Sequence, residues 1–380
     1  MGMTFTNRAL VLAAVATACF VARSDGASVT GVVVGTDYRS WTELNGATDL
    51  SISQGGGVVT LGLNLLPTTD LILSNSGARA TLGTGTGDLS LTGLGSFSSA
   101  LQVRLVHDRV LLKLTANAPS GKRELTATEL QVVAAAGHPL LGFRQRPYGT
   151  GFDGGGSMTW GLVNASGYRL TVGAGGLVRG PFHLYQATSE LHPASEWAAT
   201  TWLEVGVSPQ AVGAPLRLDL TYRGFGTDRL GSVDAFKEGA QLEAQARGLG
   251  DRETFHWDYL LRGVMKADNT TLGSGGSTVA SSKGSSGNSA ALLVGVDGDA
   301  SPNFRLGVVA ERDVVGRSDA FGRNGSVTGV GPRARLGLGS GTTLDLATQL
   351  WWGRVDGSDG LSHDARGLSV QCSLRWAALP

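Results

Sequence analysis

Apolar and polar residues alternate along most of this chain. Leu216, Leu218, Leu220 and Tyr222 are interleaved with Arg217, Asp219, Thr221 and Arg223. Phe255, Trp257, Tyr259 and Leu261 alternate with His256, Asp258, Leu260 and Arg262, and Phe304, Leu306 and Val308 with Arg305, Gly307 and Val309. Leu344, Leu346 and Leu350 alternate with Asp345, Ala347 and Gln349. Near the C-terminus Leu368, Val370, Cys372, Leu374 and Trp376 share one face, with Gly367, Ser369, Gln371, Ser373 and Arg375 on the other. A period of two predicts strands, each with one greasy side and one wet side.

These runs recur with a rhythm. Strands are expected over 97–106, 109–117, 157–164, 167–179, 197–208, 215–225, 232–247, 252–267, 288–299, 303–315, 326–338, 342–354 and 364–376. Their length suits tilted strands crossing a bilayer. The connections sort by parity. Those at 107–108, 165–166, 209–214, 248–251, 300–302 and 339–341 are short; those at 118–156, 180–196, 226–231, 268–287, 316–325 and 355–363 are mostly longer. Upstream, 29–38, 57–66 and 70–76 are further candidates, joined by a short turn at 67–69. The total is 16 strands, or 14 if the second and third lie outside the wall. The pattern predicts an all-β fold: a transmembrane antiparallel β-barrel of 14–16 strands, with short periplasmic turns and longer extracellular loops. The apolar set then faces lipid and the charged set the lumen, because a charge facing mid-bilayer costs roughly 2–4 kcal/mol.

Composition agrees. Gly is 58 of 380 residues, which suits many turns, and charged residues are only 16%, which suits a surface facing lipid. Lys+Arg and Asp+Glu are 31 each, so no charge bias points to nucleic acid. Arg8 followed by the apolar run 9–21 reads as a secretory signal over about 1–24, leaving 25–380 as a single barrel domain. One segment breaks the β pattern. Thr126-Ala127-Thr128-Glu129 is a capping-box sequence before Leu130, Val132, Val133 and Ala136 at helical spacing, so a helical insertion near 124–137 is expected in the longest loop. It would cap the mouth or fold inward. The Gly/Ser-rich stretch 272–289 is expected to be a mobile loop.

No covalent chemistry stands out. No G-x-S-x-G and no phosphate-loop motif occurs. The six histidines are scattered and Cys19 and Cys372 do not cluster, so neither metal nor cofactor is expected. Asp356 and Asp359 lie in a Gly-rich loop without EF-hand spacing. The expected lumen set is Arg104, Lys113, Arg169, Arg217, Arg223, Arg247, Arg262, Lys266, Arg305, Arg333, Arg335 and Arg375, facing Glu204, Asp219, Glu243, Asp258, Glu311 and Asp345. Within it Arg217, Arg223, His256, Asp258, Arg262, Arg305, Arg333, Arg335, Asp345 and Arg375 are the selectivity candidates. Rings of Arg favour anions in pores. Cross-strand pairs that merely stiffen the wall are the plainer reading.

Signal, rhythm and closing strand resemble those of Gram-negative outer-membrane β-barrel proteins. Leu114 to Lys122 (L-T-A-N-A-P-S-G-K), the helix-like stretch and Leu141-Gly142-Phe143 resemble a segment of phenol-degradation and long-chain fatty-acid channels. That resemblance implies uptake of hydrophobic small molecules, although the Asn-Pro-Ala signature of fatty-acid channels is absent. The expected function is an outer-membrane channel or transporter passing small solutes, hydrophobic or anionic, with no enzyme activity. Its expected partners are outer-membrane lipid, small solutes and the barrel-insertion machinery that reads the closing strand. Two rivals predict differently: a barrel hydrolase using His256 and Asp258, and a secreted or surface structural β protein such as an adhesin.

Overall fold

The computed structural model describes residues 28–44, 50–85, 87–106, 109–143, 145–165, 167–183, 185, 190–206, 216–272, 278–282, 287–316, 324–356 and 362–377. The expected signal segment, Cys19 and Asp359 lie outside them.

Seventeen strands form one antiparallel sheet. In chain order they start with β1 (Ser28–Leu44), β2 (Leu50–Leu66), β3 (Thr69–Thr84), β4 (Gly87–Leu94), β5 (Ser96–Leu105), β6 (Val110–Pro119), β7 (Asp153–Ala165) and β8 (Tyr168–Arg179). After the short β9 (Leu191–His192) come β10 (Glu196–Val205) and β11 (Leu216–Phe225). The small strands β12 (Thr227–Leu230) and β13 (Val233–Lys237) precede β14 (Gln241–Arg252) and β15 (Phe255–Lys266). β16 (Asn269–Leu272) and β17 (Thr278–Ser282) then precede β18 (Ser289–Ser301), β19 (Phe304–Val315), β20 (Gly325–Gly339), β21 (Thr342–Asp356) and β22 (Ser362–Ala377).

The sheet closes on itself because β22 pairs with β1 from Gly31–Ala377 to Leu44–Asp364. Closure removes both sheet edges, which a membrane requires. β4 and β5 are one stave: β4 pairs with the far half of β3 and β5 with its near half. Gly95 separates them, its N–H donating to the Ser76 carbonyl at 2.8 Å. The barrel therefore has 16 staves.

The side chains sort as their alternation predicts. Leu218, Leu220, Tyr222, Leu261, Leu306, Val308, Leu346 and Leu350 are exposed on the outside. Trp160, Tyr168, Phe255 and Trp376 ring the turn end of this apolar belt, and Trp197, Tyr222 and Trp352 mark its loop end. Trp257 stacks on Tyr259 with centroids 5.8 Å apart.

Three local expectations are corrected. The run 232–247 is two elements, because the chain breaks at Glu238-Gly239-Ala240 between β13 and β14. The turn expected at 248–251 is strand; the reversal comes at Glu253-Thr254, with Glu253 at φ 42. The described part of 272–289 holds β17, which joins β9, β12, β13 and β16 in a five-stranded sheet at the loop end. Backbone pairing orders these loops although they show no hydrophobic alternation.

Candidate functional site

The segment between β6 and β7 folds into the barrel. It carries a helix over Ala127–Ala136. The capping box forms: the Glu129 N–H donates to Thr126 Oγ1 at 3.3 Å, and the Thr126 N–H donates to the Glu129 carboxylate at 2.8 Å. Lys122 Nζ adds a contact to that carboxylate at 2.6 Å. Burial pushes the Glu129 pKa upward, but the hydrogen bonds from Lys122 and Thr126 outweigh it and leave it below the ordinary value. Val132 and Leu125 are fully buried against Ala80 of β3 and Leu91 of β4.

A tight 3-10 turn follows over Pro139–Leu141, and His138 Nδ1 accepts from the Leu140 N–H at 3.2 Å. Leu140 is fully buried among Trp41, Ile52, Val315, Val327, Trp351, Val355 and Ala365. The Leu141 carbonyl accepts from Arg39 Nη1 at 3.1 Å and Trp41 Nε1 at 3.0 Å. The Arg39 guanidinium lies 4.6 Å over the Trp351 ring, and Trp41 tilts against Trp351 at 5.8 Å. Trp351 Nε1 donates to Ser369 Oγ at 2.9 Å. Gly142 has φ +61, and a Cβ there would lie 2.0 Å from Arg39 Nη1, so any side chain at 142 would strain the backbone and push Arg39 out of this clamp. Further along, Gln145 Nε2 donates to Asp37 at 3.1 Å. The segment is a plug fastened to one side of the lumen: the helix packs on β2–β4 and the turn on β19–β20.

The opposite side, β8 through β15, is built from charge. Two belts of alternating sign cross it. Nearer the turns, Glu204 lies between Arg169 (3.6 Å) and Arg217 (3.2 Å), and Asp219 between Arg217 (2.7 Å) and Arg247 (3.9 Å). Nearer the loops, Glu196 lies between Arg179 (2.5 Å) and Arg223 (3.8 Å), and Glu243 between Arg223 (3.5 Å) and Arg262 (2.8 Å). Each belt holds three arginines and two acids, so each carries a surplus of one positive charge. The acids lie behind the arginines. Side chains of Arg169, Arg247 and Arg262 are 49%, 52% and 47% exposed, against 18%, 15% and 9% for Glu204, Asp219 and Glu243. Between the belts Thr200 and Thr221 hydrogen-bond at 3.2 Å. Trp202 also faces the lumen here, with Arg217 stacked 4.8 Å over its ring.

Below the plug, a cavity of about 620 Å³ is lined by the remaining candidates. Arg333 is held by Asp258 and Asp297, each at 2.5 Å. Arg335 and Arg375 share Asp345 at 2.6 and 3.4 Å. His256 is clamped on both ring nitrogens, by Asp251 at 2.5 Å and Asp299 at 3.1 Å, and Asp299 also meets Arg305 at 3.0 Å. His256 and Asp258 therefore have different partners and form no dyad. The twelve-to-six charge count is also altered: Asp70, Glu196, Asp251, Asp297 and Asp299 each pair with an expected lumen residue, and Arg179 joins the cations. Glu196 was legible as a polar residue beginning an alternating run, and Asp297 and Asp299 as residues of the wet face of β18. Arg39, Trp41 and Trp351 gave no signal of a shared partner.

No known protein family matches the sequence, and no curated protein matches it. Among solved structures, OpdO of Pseudomonas aeruginosa is similar at 10% identity, over 93% of this chain and 98% of that one, with a TM-score of 0.46. OprD of Pseudomonas aeruginosa is 9% identical over 94% and 96%, with a TM-score of 0.44. CdiB of Acinetobacter baumannii is 14% identical with a TM-score of 0.43; the match covers 90% of this chain but 60% of that one.

Proposed function

We propose that the protein is an outer-membrane channel for passive passage of small solutes, with a preference for anions. The closed barrel and its apolar outer belt support the membrane assignment. Most connections at one end are two to four residues long and most at the other are longer, the ten residues between β10 and β11 and the two between β3 and β4 excepted, which supports the orientation with the shorter turns in the periplasm. On this reading the closing strand β22 is what the barrel-insertion machinery engages. The plug covers β19–β22 and β1–β4, so solutes pass along β8–β15. The observation that carries the anion preference is that guanidiniums stand in front of the carboxylates on that wall. A passing ion meets the exposed group first, and a narrow low-dielectric lumen magnifies its field. Arg217, Arg223 and Arg262 are the selectivity residues in this proposal, with Arg305, Arg333, Arg335 and Arg375 lining the exit beside His256, Asp258 and Asp345.

Hydrolysis is the weaker reading. Both nitrogens of His256 are engaged by carboxylates, and Asp258 is engaged by Arg333. Planar-bilayer recording in a KCl gradient tests the channel. The expected result is discrete conductance with a reversal potential on the anion side. Absence of channels from refolded protein would overturn the pore, and cation selectivity would overturn the role given to the arginine-fronted wall.

A further inference from the structure

Three of the arginines on the outside of the barrel cluster near its loop end. They are Arg312 on β19, Arg354 on β21 and Arg366 on β22. Their facing follows from alternation. Each shares its strand face with exposed apolar residues, Leu306 and Val308, Leu346 and Leu350, or Val370 and Leu374. The buried residues Val309, Trp351 and Ser369 occupy the opposite face of the same strands.

The three converge around one exposed indole. Arg312 pairs with Thr328, Thr328 with Trp352, and Trp352 with Arg366 across four adjacent strands. At roughly 4.8 Å per strand, Arg312 and Arg366 are about 14 Å apart at the backbone. Arg354 lies two residues beyond Trp352 on the same face, opposite Ser326 and Asp364. Arg312 Nη2 donates to Ser326 Oγ at 3.5 Å, which draws its guanidinium toward Arg354. Asp364 pairs with Arg354 at 3.2 Å. Asp356 follows two residues beyond Arg354 on the same face, so three positive charges less two negative leave the patch at +1 among the described residues.

The depth of the patch in the membrane points the same way. Trp376, an interfacial aromatic at the turn end, and Arg366 lie on the same strand and the same face, ten residues apart. Ten residues run about 34 Å along a strand, or roughly 26 Å across the membrane at a 40° tilt. That equals the height of the apolar band, about 25 Å, so Arg366 sits where hydrocarbon gives way to headgroups on the loop side. An arginine there costs little, and its guanidinium fork matches phosphate oxygens two at a time. The apolar surface of Val330, Leu350 and Leu368 continues directly toward the bilayer centre from the patch.

We propose that Arg312, Arg354 and Arg366 with Trp352 bind the phosphorylated headgroup of an outer-leaflet glycolipid, whose acyl chains lie along the apolar strand faces. Phosphate forks onto the guanidiniums, and a sugar ring packs on the indole. The continuous apolar surface favours a lipid over a soluble phosphate. This holds whether or not the barrel conducts.

Native mass spectrometry on the refolded full-length chain, titrated with lipid A carrying its phosphates and with the dephosphorylated lipid, tests it. The phosphorylated lipid is expected to bind at least about tenfold tighter than the dephosphorylated one, and R312Q/R354Q/R366Q to abolish that difference. R252Q, which removes an outward arginine at the opposite rim, is expected to change nothing. Equal binding of the two lipids, or an unaffected triple variant, would overturn the proposal. Binding of inorganic pyrophosphate at the site as tightly as the phosphorylated lipid would overturn the lipid as occupant. If the triple variant does not refold, R366E decides alone: weakened binding of phosphorylated lipid supports the site, and unchanged binding overturns it.

Discussion

The two halves of the inner wall face the same lumen and solve opposite problems. On β19–β22 and β1–β4, the inward residues toward the loop end are Trp41, Ile52, Ala80, Leu91, Val315, Val327, Trp351 and Val355, and they bury a plug. On β8–β15 the inward residues are mainly Arg, Glu, Asp and Thr, with Trp202 and His256 among them, and no large apolar side chain among the described residues is buried there except Val264. Both halves hold arginine over tryptophan, and the difference is instructive. Arg39 over Trp351 is buried and spends a donor on the Leu141 carbonyl. Arg217 over Trp202 is fastened to Glu204 and Asp219 and remains partly open to the lumen. The same stacked pair thus serves as a clasp where apolar neighbours exclude water and as part of a charged surface where they do not.

The largest effect should come from removing the apolar half's occupant. Replacing 123–147 with a short Gly-Ser linker is expected to raise single-channel conductance several-fold. Unchanged conductance would mean that the plug does not narrow the path. Trp351→Ala is a milder form. A buried Trp truncated to Ala costs about 3–5 kcal/mol, here shared between wall and plug. The expected signs are a lowered melting temperature and noisy, enlarged conductance; a quiet channel of normal size would show that the clasp is dispensable.

Next comes the charged half. Arg217→Gln combined with Arg223→Gln removes the two arginines that each bridge two acids, exposing Glu204, Asp219, Glu196 and Glu243. The anion-to-cation permeability ratio should fall at least about twofold, read from the reversal potential. Arg39→Gln, on the other half, should leave that ratio unchanged while loosening the plug. If both variants shift selectivity alike, the division between the halves fails.

The smallest effect concerns pH. Glu129 has a folded pKa below its ordinary 4.5, so its contribution is fully present above that value and is lost as pH falls through the lower, folded one. Plug fluctuations should therefore increase modestly below pH 4.5, with no change between neutral pH and 5. Glu129→Gln keeps a capping side chain but loses the Lys122 ion pair, so it should show the low-pH noise at all pH values.

Much of this was legible in the chain. Alternation at Leu216–Arg223 or Leu368–Arg375 fixes which side chains share a face, because successive strand residues point oppositely whatever they pair with. Loop parity fixes which ends of the strands lie together. The capping box at Thr126 announces the helix, because that interaction is local. Less legible were contacts that depend on partners far away in sequence. The stave broken at Gly95, the split of 232–247 at Gly239 and the sheet formed by five loop strands all depend on backbone pairing across the barrel.

The sequence by itself determined the strand faces, their order and the presence of an inserted helix, since period two, turn chemistry and capping act over a few residues. Only the tertiary structure decided that Glu196 backs Arg179 and Arg223, that Asp258 serves Arg333 rather than His256, and that Leu140 docks among Trp41, Val327 and Trp351. The physical reason is that a strand's pattern states what each face can bury or solvate. Closing the ring states which carboxylate meets which guanidinium, and on which side the plug finds its apolar wall.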